Sequence, residues 1–438
     1  MIPKFNLLQL TYKGPLTDIS ESKSSKLAGK KIALAITGSV ASIKSPELAR
    51  ELMRHGAEIF PVFSEEATRI IGPDIMEWAT GNSSITTLTG MSEHLTLAGD
   101  WNGKVDLILV APATANTVGK IANGIDDTPV TTLISCAIGS NIPIAIAPAM
   151  HEPMYRNLFV QENLKKLKKS NLTIIPPLIS DNKAKMAPIE TIVISAIKLL
   201  TPQNMSNMNV LITAGPTAES IDPARIITNR SSGKMGLSLA LDAYYRGANV
   251  SLICGFNPSL ILDGMEINQV ESNTDMLKSI ESSLQKNNVD LFLSAAAVSD
   301  FTPMSFSQTK ISSKSSSFNL ALKSTPKIIS IVKSLSPKTC VVAFKACTNL
   351  PSNLDKFTTS LFKSYNCDFI AINDVSRSDI GFNSDDNEIH LAHKTGDVSL
   401  IEKDSKINVS SKIFDIILDS SKIKSEKPII KRKNNIPN

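Results

Sequence analysis

The short apolar run Val210-Leu211-Ile212 breaks off at Thr213-Ala214-Gly215-Pro216-Thr217. After a polar link the chain continues as Asn229-Arg230-Ser231-Ser232-Gly233-Lys234-Met235-Gly236 into the helix-forming Leu237-Ser238-Leu239-Ala240-Leu241. A brief apolar run closed by a Gly-Pro breaker marks a buried parallel strand, and the quick return of helical composition gives strand, sharp turn, loop, helix. A chain that repeats this grammar must build a parallel sheet with helices on both faces, because each parallel crossover needs a connecting element long enough to return. The stretch is also a candidate phosphate cradle. Small residues at a helix N-terminus expose backbone N–H groups, Lys234 adds a cation, and the helix dipole favours an anion. A Ser- and Gly-rich turn without any ligand has the same composition, so both readings stand at this point.

The grammar recurs along the chain. Lys30-Lys31-Ile32-Ala33-Leu34-Ala35-Ile36 reads as a buried strand, Thr37-Gly38-Ser39-Val40-Ala41-Ser42 as its turn, and the following helix closes near His55-Gly56. Further strands are expected at 58–63, 105–110 and 142–147, and in the second half at 250–254, 291–294, 340–344 and 369–372. The expected fold class is α/β, with two doubly wound parallel-sheet, Rossmann-like domains. Ligands of such sheets sit beyond the carboxyl ends of the strands, which here are 37–42, Ser64, 111–117 and 148–151. A length of 438 residues is too great for one ordinary core. The polar, proline-bearing stretch Thr201-Pro202-Gln203-Asn204-Met205-Ser206-Asn207 divides it. The expected organisation is an N-terminal extension 1–29, a first domain 30–200, a linker 201–208, a second domain 209–420 and a basic tail 421–438.

Composition excludes several function classes. With 46 Lys and Arg against 41 Asp and Glu the chain is mildly basic. The excess gathers in the tail and in Ser/Lys-rich loops with few aromatics to stack on bases, which argues against nucleic-acid binding. No apolar run approaches the ~18 residues of a membrane helix, and the N-terminal arm lacks a signal-peptide core, so a cytoplasmic chain without membrane contact is expected. Five cysteines with no CxxC spacing point to neither a disulfide framework nor a zinc site, and the sequence names no metal ligand.

Taken together and in order, Thr37-Gly38-Ser39-Val40-Ala41, His94, Ala111-Pro112-Ala113-Thr114-Ala115-Asn116-Thr117, Pro148-Ala149-Met150, Thr213 to Thr217, Asn229 to Gly236, Ala295-Ala296-Ala297-Val298-Ser299-Asp300 and Asn373-Asp374-Val375 carry a resemblance. The chain resembles the bifunctional flavoproteins of coenzyme A synthesis, in which phosphopantothenoylcysteine decarboxylase is joined to phosphopantothenate-cysteine ligase. The first domain is then flavoprotein-like and the resemblance implies FMN there, with Gly38, Ser39, Ser64, Thr114, Ala115, Asn116, Thr117 and Ala149 as cofactor-binding positions. A β-amino thiol carboxylate has no electron sink beside its α-carbon, and flavin-dependent oxidation of the thiol to a thioaldehyde creates one. His94 matches the catalytic histidine; standing alone it would read as a partly buried helical His beside Leu97 and Ala98.

For the second domain the resemblance implies ligation of 4′-phosphopantothenate to cysteine. A carboxylate is a poor electrophile, so CTP would convert it to an acyl-cytidylate for the cysteine amine to attack, with Mg²⁺ and lysines screening the triphosphate. Residue types do not exclude ATP in place of CTP. Asn229 matches the residue that meets the acyl-cytidylate, Ala295, Ala296, Asp300 and Phe344 match nucleotide or substrate positions, and Lys310 matches the start of a lysine motif on a mobile loop over the triphosphate. Ile311-Ser312-Ser313-Lys314 follows where the family clusters lysines, so the catalytic lysine is Lys310 or Lys314. The resemblance further implies homo-oligomers, trimers of the first domain and dimers of the second.

The chain departs from the family pattern in the first domain. Pro148-Ala149-Met150-His151 replaces Pro-Ala-Met-Asn, and Asp181-Asn182-Lys183-Ala184-Lys185 replaces the usual Cys-Gly-Asp segment. Cys136, expected on a helix as a core thiol, is the only cysteine in that domain. His151 and Lys185 therefore stand as candidate substrate-binding and proton-donating residues. Two alternatives remain, a non-catalytic flavin-binding partner protein, which retention of His94 disfavours, and a flavin enzyme of another substrate, which leaves the second domain unused.

Overall fold

The computed structural model describes residues 18–258, 262, 264–312 and 318–420, so the tail expected after 420 and Lys314 lie outside the described residues. The chain forms two compact units, Met1–Pro202 and Gln203–Asn438.

In the first unit the strands are β1 (Lys31–Ile36), β2 (Glu58–Phe63), β3 (Leu107–Ala113), β4 (Ile144–Pro148), β5 (Met150–His151), β6 (Thr173–Ile174), β7 (Leu178–Ser180) and β8 (Lys183–Lys185). The main sheet runs β2-β1-β3-β4-β6 and every pairing in it is parallel. Every residue of β3 and β4 is buried, as a strand covered by helices on both faces requires. Ile108, Val110, Val118, Leu133 and Ile134 belong to the core between this sheet and the helices Ala115–Asn123 and Pro129–Gly139. Part of the expected N-terminal extension belongs to this unit. Leu27 is fully buried, its N–H donates to His55 O at 2.7 Å, and Ser24 Oγ is hydrogen-bonded to His55 Nδ1 at 2.7 Å.

In the second unit the strands are β9 (Asn209–Ala214), β10 (Ala218–Asp222), β11 (Arg225–Thr228), β12 (Asn249–Cys254), β13 (Met265–Gln269), β14 (Leu291–Ser294), β15 (Phe301–Pro303), β16 (Leu322–Ser324), β17 (Cys340–Cys347), β18 (Phe369–Asp374), β19 (Asp386–His393) and β20 (Val398–Ser405). Its main sheet runs β13-β12-β9-β14-β17-β18-β19-β20. The six strands from β13 to β18 are parallel, whereas β19 and β20 are antiparallel. The expected doubly wound parallel sheet is present in these six strands, and the antiparallel pair extends its edge. Residues 375–385 between β18 and β19 hold no helix, and a connection that short can only return the chain antiparallel.

The expected linker is mostly part of the second unit. Met205 is fully buried, its N–H donates to Arg246 O at 3.0 Å, and Gln203 Nε2 donates to Tyr245 O at 2.8 Å. The helix Lys234–Tyr245 is held from below by Arg246, whose guanidinium meets buried Asp242 at 2.8 Å, Asp415 at 2.8 Å and Ser411 Oγ at 2.8 Å. This network ties it to the helix Lys406–Asp419.

Candidate functional sites at two strand-end crevices

In the first sheet the strand order reverses between β1 and β3, the switch point beyond whose strand ends ligands of such sheets sit. The two bordering turns are locked together. Thr37 Oγ1 donates to Pro112 O at 2.8 Å and accepts from Thr114 N–H at 3.1 Å. Ser39 Oγ accepts from Ala41 N–H at 3.4 Å at the start of a short 3-10 helix, and Thr114 Oγ1 accepts from Thr117 N–H at 3.3 Å to cap Ala115–Asn123. Ser64 N–H donates to Ile36 O at 3.0 Å, and Ala149 N–H donates to Ala113 O at 2.9 Å, which brings the ends of β2 and β4 to the same edge. Gly38 is pressed onto the next turn, since a Cβ there would lie 2.4 Å from Glu66 Cβ. Seven of the eight expected cofactor residues thus belong to interlocked turns or caps at one sheet end, and Asn116 is exposed in the first turn of its helix.

His94 lies on the helix Glu93–Ala98 and is half-buried. Its Nδ1 is buried and, among the described residues, has no hydrogen-bond partner. The preceding turn is held by Glu93, whose carboxylate accepts from Thr89 N–H at 3.0 Å. Cys136 is on the helix Pro129–Gly139, where its thiol donates to Ala98 O at 3.3 Å and burial pushes its pKa up, so it is a packing thiol. The segment replacing the family's cysteine forms a tight hairpin: Asp181 and Asn182 both have positive φ, 52° and 57°, as a two-residue type I′ turn requires. β8 also pairs with β5, opposing His151 to Lys183, and alternation places Lys185 on the face shared by that pair. Lys185 is ion-paired with Asp181 at 2.6 Å, whereas His151 has no side-chain partner among the described residues.

In the second sheet the order reverses between β9 and β14, and the turns beyond them are again joined. Ala297 N–H donates to Gly215 O at 2.8 Å, and Thr217 N–H donates to Ala297 O at 3.3 Å. A cleft of about 440 Å³ lies there, and 229–236, 294–300, 325–329, Phe344 and Tyr365 contribute to its walls. The first turns of three helices border it: Lys234–Tyr245, Asn273–Lys286 and Ile328–Leu335. The first and third of these have no side-chain cap, whereas the second is capped by Ser272 and Glu219, so two open N-termini make this a place for a polyanion.

The expected residues divide here. Ala295, Ala296, Asp300, Phe344 and Asn229 all line the cleft. The Asn229 amide is committed in this state, since Nδ2 donates to Ala297 O at 2.9 Å and Val298 O at 3.1 Å. Lys310 is exposed and is not among the lining residues. Its segment is docked on the β10–β11 hairpin, where Ile311 N–H donates to Asp222 Oδ2 at 3.0 Å and Arg225 donates to Ile311 O at 3.1 Å. Lys234 also differs from its expected role: its ammonium binds Asp385 at 2.6 Å and Asn383 O at 2.9 Å. Lys406, missed in the sequence, anchors the same loop through the carbonyls of Gly381, Phe382 and Ser384. Burial pushes its ammonium down to about 8, Lys234 acts in the same direction, and Asp385 and Asp386 oppose. Asn273, Lys327 and Tyr365 were also missed. No pattern marks them, because only the crossovers bring them to one wall.

Two largely parallel sheets, each with a switch point and the second with a cleft there bordered by three helix N-termini, define a two-site α/β enzyme of the nucleotide-binding class. Residues 20–201 match the family described as Flavoprotein, and residues 205–420 that described as DNA/pantothenate metabolism flavoprotein C-terminal domain. The chain is 47% identical over 376 residues to the Coenzyme A biosynthesis bifunctional protein CoaBC of Thermococcus kodakarensis, covering 85% of this chain and 91% of that one. It is 37% identical over 373 residues to the protein of that name from Methanocaldococcus jannaschii, covering 84% and 89%. For that of Escherichia coli (strain K12) the identity is 33% over 385 residues, covering 85% and 92%. The chain belongs to the family of bifunctional coenzyme A biosynthesis proteins. Among the described residues no helix is long and apolar enough to cross a membrane.

Proposed function

We propose that the first unit decarboxylates 4′-phosphopantothenoylcysteine with FMN and that the second makes this substrate from 4′-phosphopantothenate, cysteine and CTP, through an acyl-cytidylate. The observation that carries the reading is the pair of separate switch points, the second opening on a cleft bordered by three helix N-termini. The first switch point suits a flavin mononucleotide: the strand order matches that of flavodoxin-type sheets, Gly38 leaves no room for a side chain, and the buried Ser42 Oγ of the turn after β1 has no partner among the described residues. The turns at Gly38, Ser39, Ser64, 114–117 and Ala149 would hold the cofactor. When bound, it supplies the reversible two-electron oxidation that makes loss of CO₂ possible. His94 handles the proton of the substrate's reacting end, and His151, the less committed of the two candidates, returns a proton after CO₂ leaves, with Lys185 as the second donor.

In the second unit the helix N-termini cradle the triphosphate, and Asn229 exchanges its carbonyl partners for the developing oxyanion. Asp300 and Phe344 position the nucleotide. Lys310 or Lys314 closes over the phosphates when the loop leaves the β10–β11 hairpin. Mg²⁺ would enter on the phosphates, with few ligands from the protein. Trimers of the first unit, dimers of the second and a cytoplasmic location complete the reading. The test is a separation of activities: His94→Asn stops decarboxylation and leaves ligation near wild-type, and Asn229→Asp does the reverse, each read by product mass. Loss of both activities in either folded variant would refute two independent sites.

A further inference from the structure

Asn273 is the first residue of the helix Asn273–Lys286 and a wall residue of the second cleft, with only 2% of its surface exposed. Its surroundings fix the side chain's orientation. The main-chain N–H donates to buried Glu219 Oε1 at 2.8 Å, and Nδ2 faces Ser299 O and Pro326 O, each at 3.4 Å. Those two carbonyls accept only, so the amide cannot be turned over without setting oxygen against oxygen. Oδ1 is therefore the atom directed away from them, and among the described residues it is buried with no hydrogen-bond partner. An amide oxygen left so is unfavourable in a folded chain, and the cost is removed if a ligand brings the missing donor.

The cleft around it is rich in donors. The uncapped N-termini of Lys234–Tyr245 and Ile328–Leu335 offer N–H groups suited to phosphate, and Asn273 shares the cleft wall with Ser299 and Pro326, whose carbonyls hold its Nδ2. The donors that a nucleoside brings to such an acceptor are neutral N–H and O–H groups. We infer that Asn273 is a specificity residue of the second site, accepting a hydrogen bond from a neutral donor on the nucleoside, either the amino group of its base or a ribose hydroxyl. This rests on the reading of the second unit as a nucleotide-dependent ligase. A site that buries an acceptor rejects analogues lacking the donor, because they leave that acceptor unpaired.

The experiment measures pyrophosphate release by the full-length protein with phosphopantothenate and cysteine, giving kcat/KM for CTP, UTP and 2′-deoxy-CTP. Wild-type protein is expected to prefer CTP over one of the two analogues, UTP if the amino group is read and 2′-deoxy-CTP if the hydroxyl is. In Asn273→Ala that preference falls by about 10-fold or more, mainly through the KM for CTP, while the disfavoured analogue changes little. Asn273→Asp keeps an acceptor but sets its other oxygen against Ser299 O and Pro326 O, so it is expected to lower the urea midpoint and raise KM for all three nucleotides, while the folded fraction retains the preference. Equal losses for all three in the Ala variant, no preference in wild type, or an Asp variant that loses the preference would overturn the inference. Failure of the wild-type protein to ligate with any nucleotide would instead overturn the ligase reading, and the inference with it.

Discussion

Gly233 begins the helix Lys234–Tyr245 in the left-handed region, at φ 74°, and carries that helix N-terminus into the nucleotide cleft. A Cβ added there would lie 2.4 Å from Phe256 Cε1 and 2.8 Å from Cδ1, more than 1 Å inside ordinary carbon contact. Two costs therefore combine in Gly233→Ala. Holding an L-residue left-handed costs about 1–2 kcal/mol, and overpacking against the ring adds roughly 1–3 kcal/mol. The expected loss is about 2–5 kcal/mol from the second unit, read as a lower urea midpoint of the full-length protein. Displacing the helix start also moves its N–H groups from the triphosphate, and KM for CTP should rise about 10-fold or more. In a Phe256→Leu background the ring is gone but the dihedral remains, so the same substitution should cost only about 1–2 kcal/mol. An unchanged midpoint and KM in Gly233→Ala would refute the reasoning, as would equal costs in the two backgrounds.

His55 offers a pH test: burial pulls its pKa down to about 4 from an ordinary 6.5, with Glu51 opposing and Lys23 and Arg54 reinforcing. The unfolded chain then binds more protons between those values, so stability should fall as pH drops through this window, by roughly 3 kcal/mol in all; a His55→Asn protein with an undiminished slope would discount this group. Arg246→Met leaves buried Asp242 without its guanidinium and should cost about 3–5 kcal/mol, while adding Asp242→Leu should restore much of it. A double variant no better than the single would show that packing and not charge holds the two helices. In the first unit, Cys136→Ala should complete decarboxylation, whereas His151→Ala or Lys185→Ala should release CO₂ yet accumulate the enethiol, seen by mass. Full turnover in both basic variants would remove them as proton donors.

The flat runs Ile32 to Ile36, Leu107 to Val110 and Val210 to Ile212 announce buried strands because a strand covered on both faces has no polar side to show. With the small-residue turns after them, that was enough to expect two doubly wound sheets and to place the crevice turns at 37–42 and 111–117. β13 and β20 escaped because edge strands expose much of their length and their pattern is mixed. The buried part of the arm before residue 30, the docking of Lys310 on a hairpin and the pairing of Lys234 with Asp385 were likewise illegible. They depend on which distant segment lies alongside. Local pattern determines whether a residue faces a core, since that follows from the period of the element carrying it. Which residues share a wall is decided by strand order: β14 beside β9 brings Ala297 to Gly215, and the loops beyond β13 and β16 bring Asn273 to Pro326. Those neighbours are set by packing free energy summed over the sheet and its helices, a quantity that no single stretch of sequence contains.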